Sequence, residues 1–196
     1  MLVNPYFFVE INETEIKRLL EKQLGELGLP MDDWRVSRTL KGRTYKDEPV
    51  LLVELKHGLN QRHEIEKPIG GTSFKQVVQE AYAYAALPPN QKSVYGFLPI
   101  LRKKEASNAY ADMEPPSGWL FTEPRGRGVG SLLVAHALEK ASEWGHRVNV
   151  SREVVNAGFF MQLFKLGVEK VRRRPEAFVA PETLTKRPWR EYLLKP

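Results

Sequence analysis

The chain has 196 residues, of which 42% are hydrophobic and 28% charged. These are the values of one folded globular domain, not of a disordered or fibrous chain. Cysteine is absent, which excludes a disulfide scaffold, a cysteine nucleophile, a zinc–thiolate site and an iron–sulfur cluster. Lysine and arginine number 30 against 24 aspartate and glutamate, a net charge of +6, which fits an anionic partner and equally a solvated basic surface.

No stretch approaches the ~20 apolar residues of a membrane span. The opening MLVNPYFFVEINETE has no basic n-region and turns acidic early, so the expectation is no secretion signal and a cytoplasmic location. Residues 7–11 read as a short strand. Asn12 then caps a helix, with Glu15 at the capping-box position. Ile16, Leu19, Leu20, Leu24 and Leu27 recur at helical spacing until Gly28 and Pro30 stop them. Residues 34–40 and 50–55 read as strands joined through a Lys41–Gly42 turn. Residues 56–72 are polar and contain glycine and proline, the composition of a loop.

Residues 74–86 predict a helix, with Phe74, Val77, Val78, Ala81, Tyr82 and Ala85 on one face. A strand over 93–101, a polar link over 102–117 and a strand over 118–122 follow. Residues 132–144 predict a long helix ended by Gly145. A strand over 148–150, a helix over 154–166 ended by Gly167, and extended segments over 168–172 and near Tyr192 and Leu193 complete the chain. The fold class is α/β (α+β) with a mixed sheet.

The most informative stretch is Arg125-Gly126-Arg127-Gly128-Val129-Gly130, set between a predicted strand and a predicted helix. Glycines there let the backbone adopt conformations that a β-carbon forbids and approach a ligand closely. The first helical turn offers N–H groups and the positive end of the dipole to phosphate oxygens. Arg125 and Arg127 add charge beside it. The segment lacks the Gly-Lys-Ser/Thr ending of a P-loop and the spacing of a dinucleotide fingerprint. The plain alternative is a turn that only connects strand to helix.

With its surroundings, this region resembles the GNAT superfamily of acyl-CoA N-acyltransferases. Arg125, Gly128 and Gly130 match the family's Arg/Gln-x-x-Gly-x-Gly/Ala loop, and Ser131 opens the helix. The strand at 148–150, the helix beginning near Asn156 and the Gly167-Val168 pair follow in the family's order, and Tyr95–Ile100 looks like its preceding strand. The resemblance covers residues 95–171 and is thinnest over 1–92. It implies a single GNAT-like domain with a splayed mixed sheet flanked by helices. Residues 1–92 would carry acceptor-side elements and 93–196 the acyl-CoA-binding core.

The resemblance further implies that the pyrophosphate of acyl-CoA, most simply acetyl-CoA, sits on the backbone of Gly126, Arg127, Gly128, Val129, Gly130 and Ser131. Its pantetheine arm would pair with the strand edge at Leu120, Phe121 and Thr122, and Asn156 would contact it from the later helix. The implied reaction is direct acyl transfer to an unidentified amine acceptor, which calls for a base and for a proton donor to the leaving thiolate. Glu123, at the end of that strand, is the candidate general base; the alternative is a solvated carboxylate paired with Arg125 or Arg127. Where the family often has the tyrosine proton donor, this chain has Leu163, which leaves open a binding protein without catalysis. Exposed strand edges make a homodimer plausible.

A second resemblance competes. The apolar strand from Val50 ends in Glu54-x-Lys56 and precedes a predicted helix bearing Gln76, Gln79 and Tyr82. This looks like the core of PD-(D/E)xK nucleases, in which an Asp and the Glu hold Mg²⁺ and the Lys positions the water. Asp47 or Asp33 would supply the second carboxylate. The densest basic run, KVRRR at 170–174, lacks the interleaved aromatics of a base-stacking surface, so nucleic acid is the less favoured partner.

Overall fold

A computed structural model describes residues 10–58, 63–69, 72–104, 109–113, 126–150, 163, 165, 166, 177–179 and 188–195. Helix α1 (Glu13–Leu19) begins as the sequence predicts: the Asn12 side chain accepts from the Glu15 N–H at 3.1 Å. A break at Leu20 separates it from α2 (Glu21–Gly25). Ile16, Leu20, Leu24 and Leu27 are buried together along this pair.

Strand β1 (Trp34–Arg43) pairs antiparallel with β2 (Pro49–His57). The turn between them is not at Lys41–Gly42, which lie within the strand, but at residues 44–48, where the Thr44 N–H donates to the Glu48 carbonyl at 2.9 Å. Asp47 takes a left-handed φ of 64° there, a conformation that aspartate tolerates. Strand β2 is apolar without a break from Val50 to Val53 because both its faces are covered.

Part of the polar stretch over 56–72 is a strand, β3 (His63–Ile69), and the predicted helix over 74–86 lies in a long strand, β4 (Thr72–Leu87). The β3–β4 hairpin pairs Ile69 with Thr72 and His63 with Val78. The second half of β4 pairs with β2 on one side and β5 (Gly96–Lys104) on the other. Tyr82, Tyr84 and Ala86 face one side of the sheet, while Ala81, Ala83 and Ala85 face the other. This is the period of a strand. The small alanines let the α1–α2 layer come close.

The polar link over 102–117 likewise contains a strand, β6 (Ala109–Met113), antiparallel to β5. Helix α3 (Val129–Trp144) then crosses to β7 (Arg147–Val150), which runs parallel to β6, and β7 pairs antiparallel with β8 (Ala177–Val179). The described strands form one sheet in the order β1-β2-β4-β5-β6-β7-β8, with β3 also on β4. The class is a mixed α+β sheet, with β6–β7 the single parallel pair among the described strands.

Helix α3 lies on one face, over Leu52, Tyr84, Leu98, Ile100 and Met113; α1 and α2 lie on the other, over Val53, Ala83, Phe97 and Leu101. The chain near Tyr192 is not extended but a short 3₁₀ helix, Pro188–Tyr192, whose Trp189 is buried in the α3 layer. The segment is held by Leu194, which packs under Gly42 and donates its N–H to His136. No described helix is long and apolar enough to cross a membrane.

Candidate functional site

The glycine turn stands at the carboxyl end of the parallel pair. Tyr110 near the start of β6 is opposite Arg147 at the start of β7, and α3 ends at Trp144, with only Gly145 and His146 before Arg147. The helix therefore runs back along the strands, and its N-terminus lies toward their carboxyl ends.

Gly126 has φ 79° and Gly128 has φ 89°, both left-handed. A β-carbon at Gly126 would meet nothing within 4 Å, and Gly126 and Arg127 are exposed. Gly128 is the N-cap of α3 and supplies no side-chain cap, while its carbonyl accepts the first helical bond from Leu132 at 3.1 Å. By helix geometry the N–H groups of Val129 and Gly130 have no intrahelical acceptor. Gly128, Val129, Gly130 and Ser131 are buried, so the open part of the turn is Gly126–Arg127.

The sequence reading missed what packs on the turn. The β1–β2 turn is seated on it through three contacts. Thr44 Oγ1 donates to the Arg127 carbonyl at 2.6 Å. The Arg127 guanidinium meets the Glu48 carboxylate at 2.6 Å. The Tyr45 ring lies so close to Gly128 that a β-carbon there would stand 2.9 Å from it. Gly128 is thus required by its φ and by a neighbour, independently of any ligand. Tyr45 is half exposed and meets Tyr192 edge-on at 5.1 Å. No local pattern announces these contacts, because some 80 residues separate the partners.

Of the predicted site residues, Gly126 to Ser131 come together as one turn and helix start. Leu120, Phe121, Thr122, Glu123, Arg125 and Asn156 lie outside the described residues, as do the predicted strands at 118–122 and 168–172. Only Leu163 and Lys165 of the predicted helix at 154–166 are described as helical. Leu163 is fully buried in the α3 layer. Arg127, one of the two arginines named as partners of Glu123, is engaged by Glu48.

The Glu54-x-Lys56 strand end is built differently from a metal site. Glu54 is buried in mid-sheet, accepts from Ser37 Oγ at 2.8 Å and stands 3.5 Å from Arg38. Asp33 is opposite Gly58, roughly 13 Å along the strand from Glu54, and Asp47 is in the turn at the other end of β2, roughly 15 Å or more away. Neither brings a second carboxylate to Glu54. Among the described residues no group of three His, Asp or Glu side chains is placed to hold a metal ion. The expected helix with Gln76, Gln79 and Tyr82 is β4. Lys56 lies over the Tyr82 ring, 5.6 Å from its centroid, with Lys140 at 4.3 Å.

Beneath α3 this strand contributes to a buried polar cluster. Burial raises the Tyr84 hydroxyl well above its ordinary pKa, helped by the charge of Glu54 and a hydrogen bond to it. His136 packs on Tyr84 with ring centroids 5.8 Å apart. Burial, and secondarily Arg38, lowers its pKa from 6.5 to about 3. Burial also raises the Glu139 pKa, against the pull of Arg38. His136 is 1% exposed, and the cluster ties α3 to the sheet.

A groove of about 860 Å³ opens elsewhere, between the start of α1 and the turn after β4, and its lining includes Glu10, Glu13, Glu15, Arg18 and Lys92. No protein-family model matches the chain, and no curated protein matches it.

Proposed function

We propose that the chain is an acyl-CoA-dependent N-acyltransferase of GNAT-like fold that moves acetyl from acetyl-CoA to a primary amine. The observation that carries this reading is the β6–α3–β7 crossover. Among the described strands β6–β7 is the one parallel pair, α3 lies between the two in the chain, and its N-terminus follows a left-handed glycine turn toward the carboxyl ends of the strands. Gly126 leaves room for a phosphate to approach the backbone, and Arg127 supplies charge beside it.

In this reading the acceptor nitrogen attacks the thioester carbonyl, its proton goes to the base, the C–S bond breaks, and the leaving thiolate takes a proton from water. Glu123 is the proposed base. The pantetheine arm runs along Leu120–Thr122, and Asn156 contacts it. The groove at the start of α1, with carboxylates and cations both in its lining, is the proposed place of the acceptor. The cytoplasm is the proposed location and a homodimer the proposed assembly.

Leu163 favours a second reading. It is a fully buried core residue where the family often has its proton donor, which suits a protein that binds acyl-CoA without transferring the acyl group. Release of CoA thiol from acetyl-CoA in the presence of a panel of primary amines separates the two. The chain has no cysteine, so a thiol reagent reads only the product. Amine-dependent release supports the transferase; acyl-CoA binding without release supports the second reading.

A further inference from the structure

We infer that Glu48, on the β1–β2 turn, competes with the phosphates of the acyl donor for the Arg127 guanidinium. The inference rests on the reading of the glycine turn as an acyl-CoA site. It adds to that site a residue distant in sequence.

The geometry is specific. Arg127 Nη1 and Glu48 Oε1 are 2.6 Å apart, with the side chains 46% and 24% exposed. The pair is therefore reachable from solvent, and a ligand at Gly126–Arg127 meets a guanidinium already engaged. Glu48 is held there by more than its own charge. Thr44 Oγ1 is tied to the Arg127 carbonyl at 2.6 Å, the Glu48 N–H approaches the same Thr44 oxygen at 3.3 Å, and Tyr45 rests on Gly128. A phosphate that takes the guanidinium displaces a carboxylate whose backbone cannot drift away. An exposed ion pair is a weak contact, so the competition amounts to a small factor in affinity and leaves the site usable. It also sets a preference, because a pyrophosphate group displaces the carboxylate more readily than a ligand with a single negative charge.

The test is calorimetric titration of the full chain with CoA at low ionic strength, on the parent and on E48Q, R127Q and E48Q/R127Q. Glutamine keeps the shape and the acceptor oxygen of Glu48 and removes only its charge. The expected result is about two- to fivefold tighter CoA binding by E48Q, in line with an exposed pair, weaker binding by R127Q, and a different gain from E48Q in the R127Q background, where only like-charge repulsion is relieved and the two substitutions are not additive. The gain should shrink as salt is added. Equal or weaker binding by E48Q, with the parent binding CoA, overturns the role of Glu48 alone and makes it a support for Arg127. No CoA binding by either the parent or E48Q overturns the acyl-CoA reading and this inference with it. Thermal melting of each variant checks that the fold is retained.

Discussion

The backbone N–H of Leu194 donates to Nε2 of His136 at 3.3 Å, so a neutral imidazole in α3 anchors the C-terminal segment. A protonated ring has no lone pair there, and its charge would be buried. Its pKa is held at about 3, against an ordinary 6.5, first by burial and then by Arg38. Between these values the unfolded chain binds the proton and the folded chain does not. The contribution of His136 to stability is therefore complete above about pH 6.5 and is lost as the pH falls toward 3.

In that window the group adds a slope of up to ~1.4 kcal/mol per pH unit. His136→Gln should flatten the parent's stability–pH curve between these limits, as read by urea unfolding. Parallel curves for the two proteins would contradict the assignment.

Gly128 and Gly126 share a left-handed backbone and differ in their surroundings. Gly126→Ala meets open space and should cost about 1 kcal/mol, the conformational term alone. Gly128→Ala adds a β-carbon 2.9 Å from the Tyr45 ring and should cost about 2 kcal/mol or more. Tyr45→Ala should recover part of the difference in Gly128→Ala and none in Gly126→Ala. Equal costs at the two glycines, measured by denaturant unfolding, would show that the turn does not seat the hairpin.

Lys103 and Asp112 form an ion pair at 2.8 Å across β5 and β6, with side chains 0% and 5% exposed. Removing one partner leaves a buried charge, so Lys103→Met should destabilise the protein by roughly 3 kcal/mol. The double variant K103M/D112L should be more stable than K103M alone, because it removes the stranded carboxylate. Additive losses in a double-mutant cycle would contradict that coupling.

The helical layers were legible in the sequence and part of the sheet was not. Asn12, Glu15 and the spacing from Ile16 to Leu27 marked the first helix pair, apart from the break at Leu20. Gly145 marked the end of α3, and the apolar run from Val50 marked β2. The error at 74–86 has a physical cause. Alanines at 81, 83, 85 and 86 are good helix formers, and Phe74, Val77, Val78, Ala81, Tyr82 and Ala85 satisfy a helical period. Tyr82 and Tyr84 satisfy a period of two equally well, and the sheet decided between them by pairing β2 and β5 with the two edges of β4. The β3 and β6 strands are polar or short enough to read as links.

At the site, the glycines announced a turn of special conformation, and both Gly126 and Gly128 have it. Their second constraint was not legible. The seating of Thr44, Tyr45 and Glu48 on residues 127 and 128 is a tertiary contact between distant segments, and the polar and aromatic residues that make it carry no local signature.

The central claim is that the glycine turn holds the phosphates of an acyl-CoA. The most direct measurement is calorimetric titration of the parent and of Gly126→Asp with CoA and acetyl-CoA. Aspartate tolerates the left-handed backbone, meets no neighbour at that position and puts a carboxylate where the phosphates would lie. Micromolar-range binding is expected for the parent and at least about tenfold weaker binding for the variant, the scale of one close like charge. No binding by the parent, or equal binding by both proteins, would contradict it.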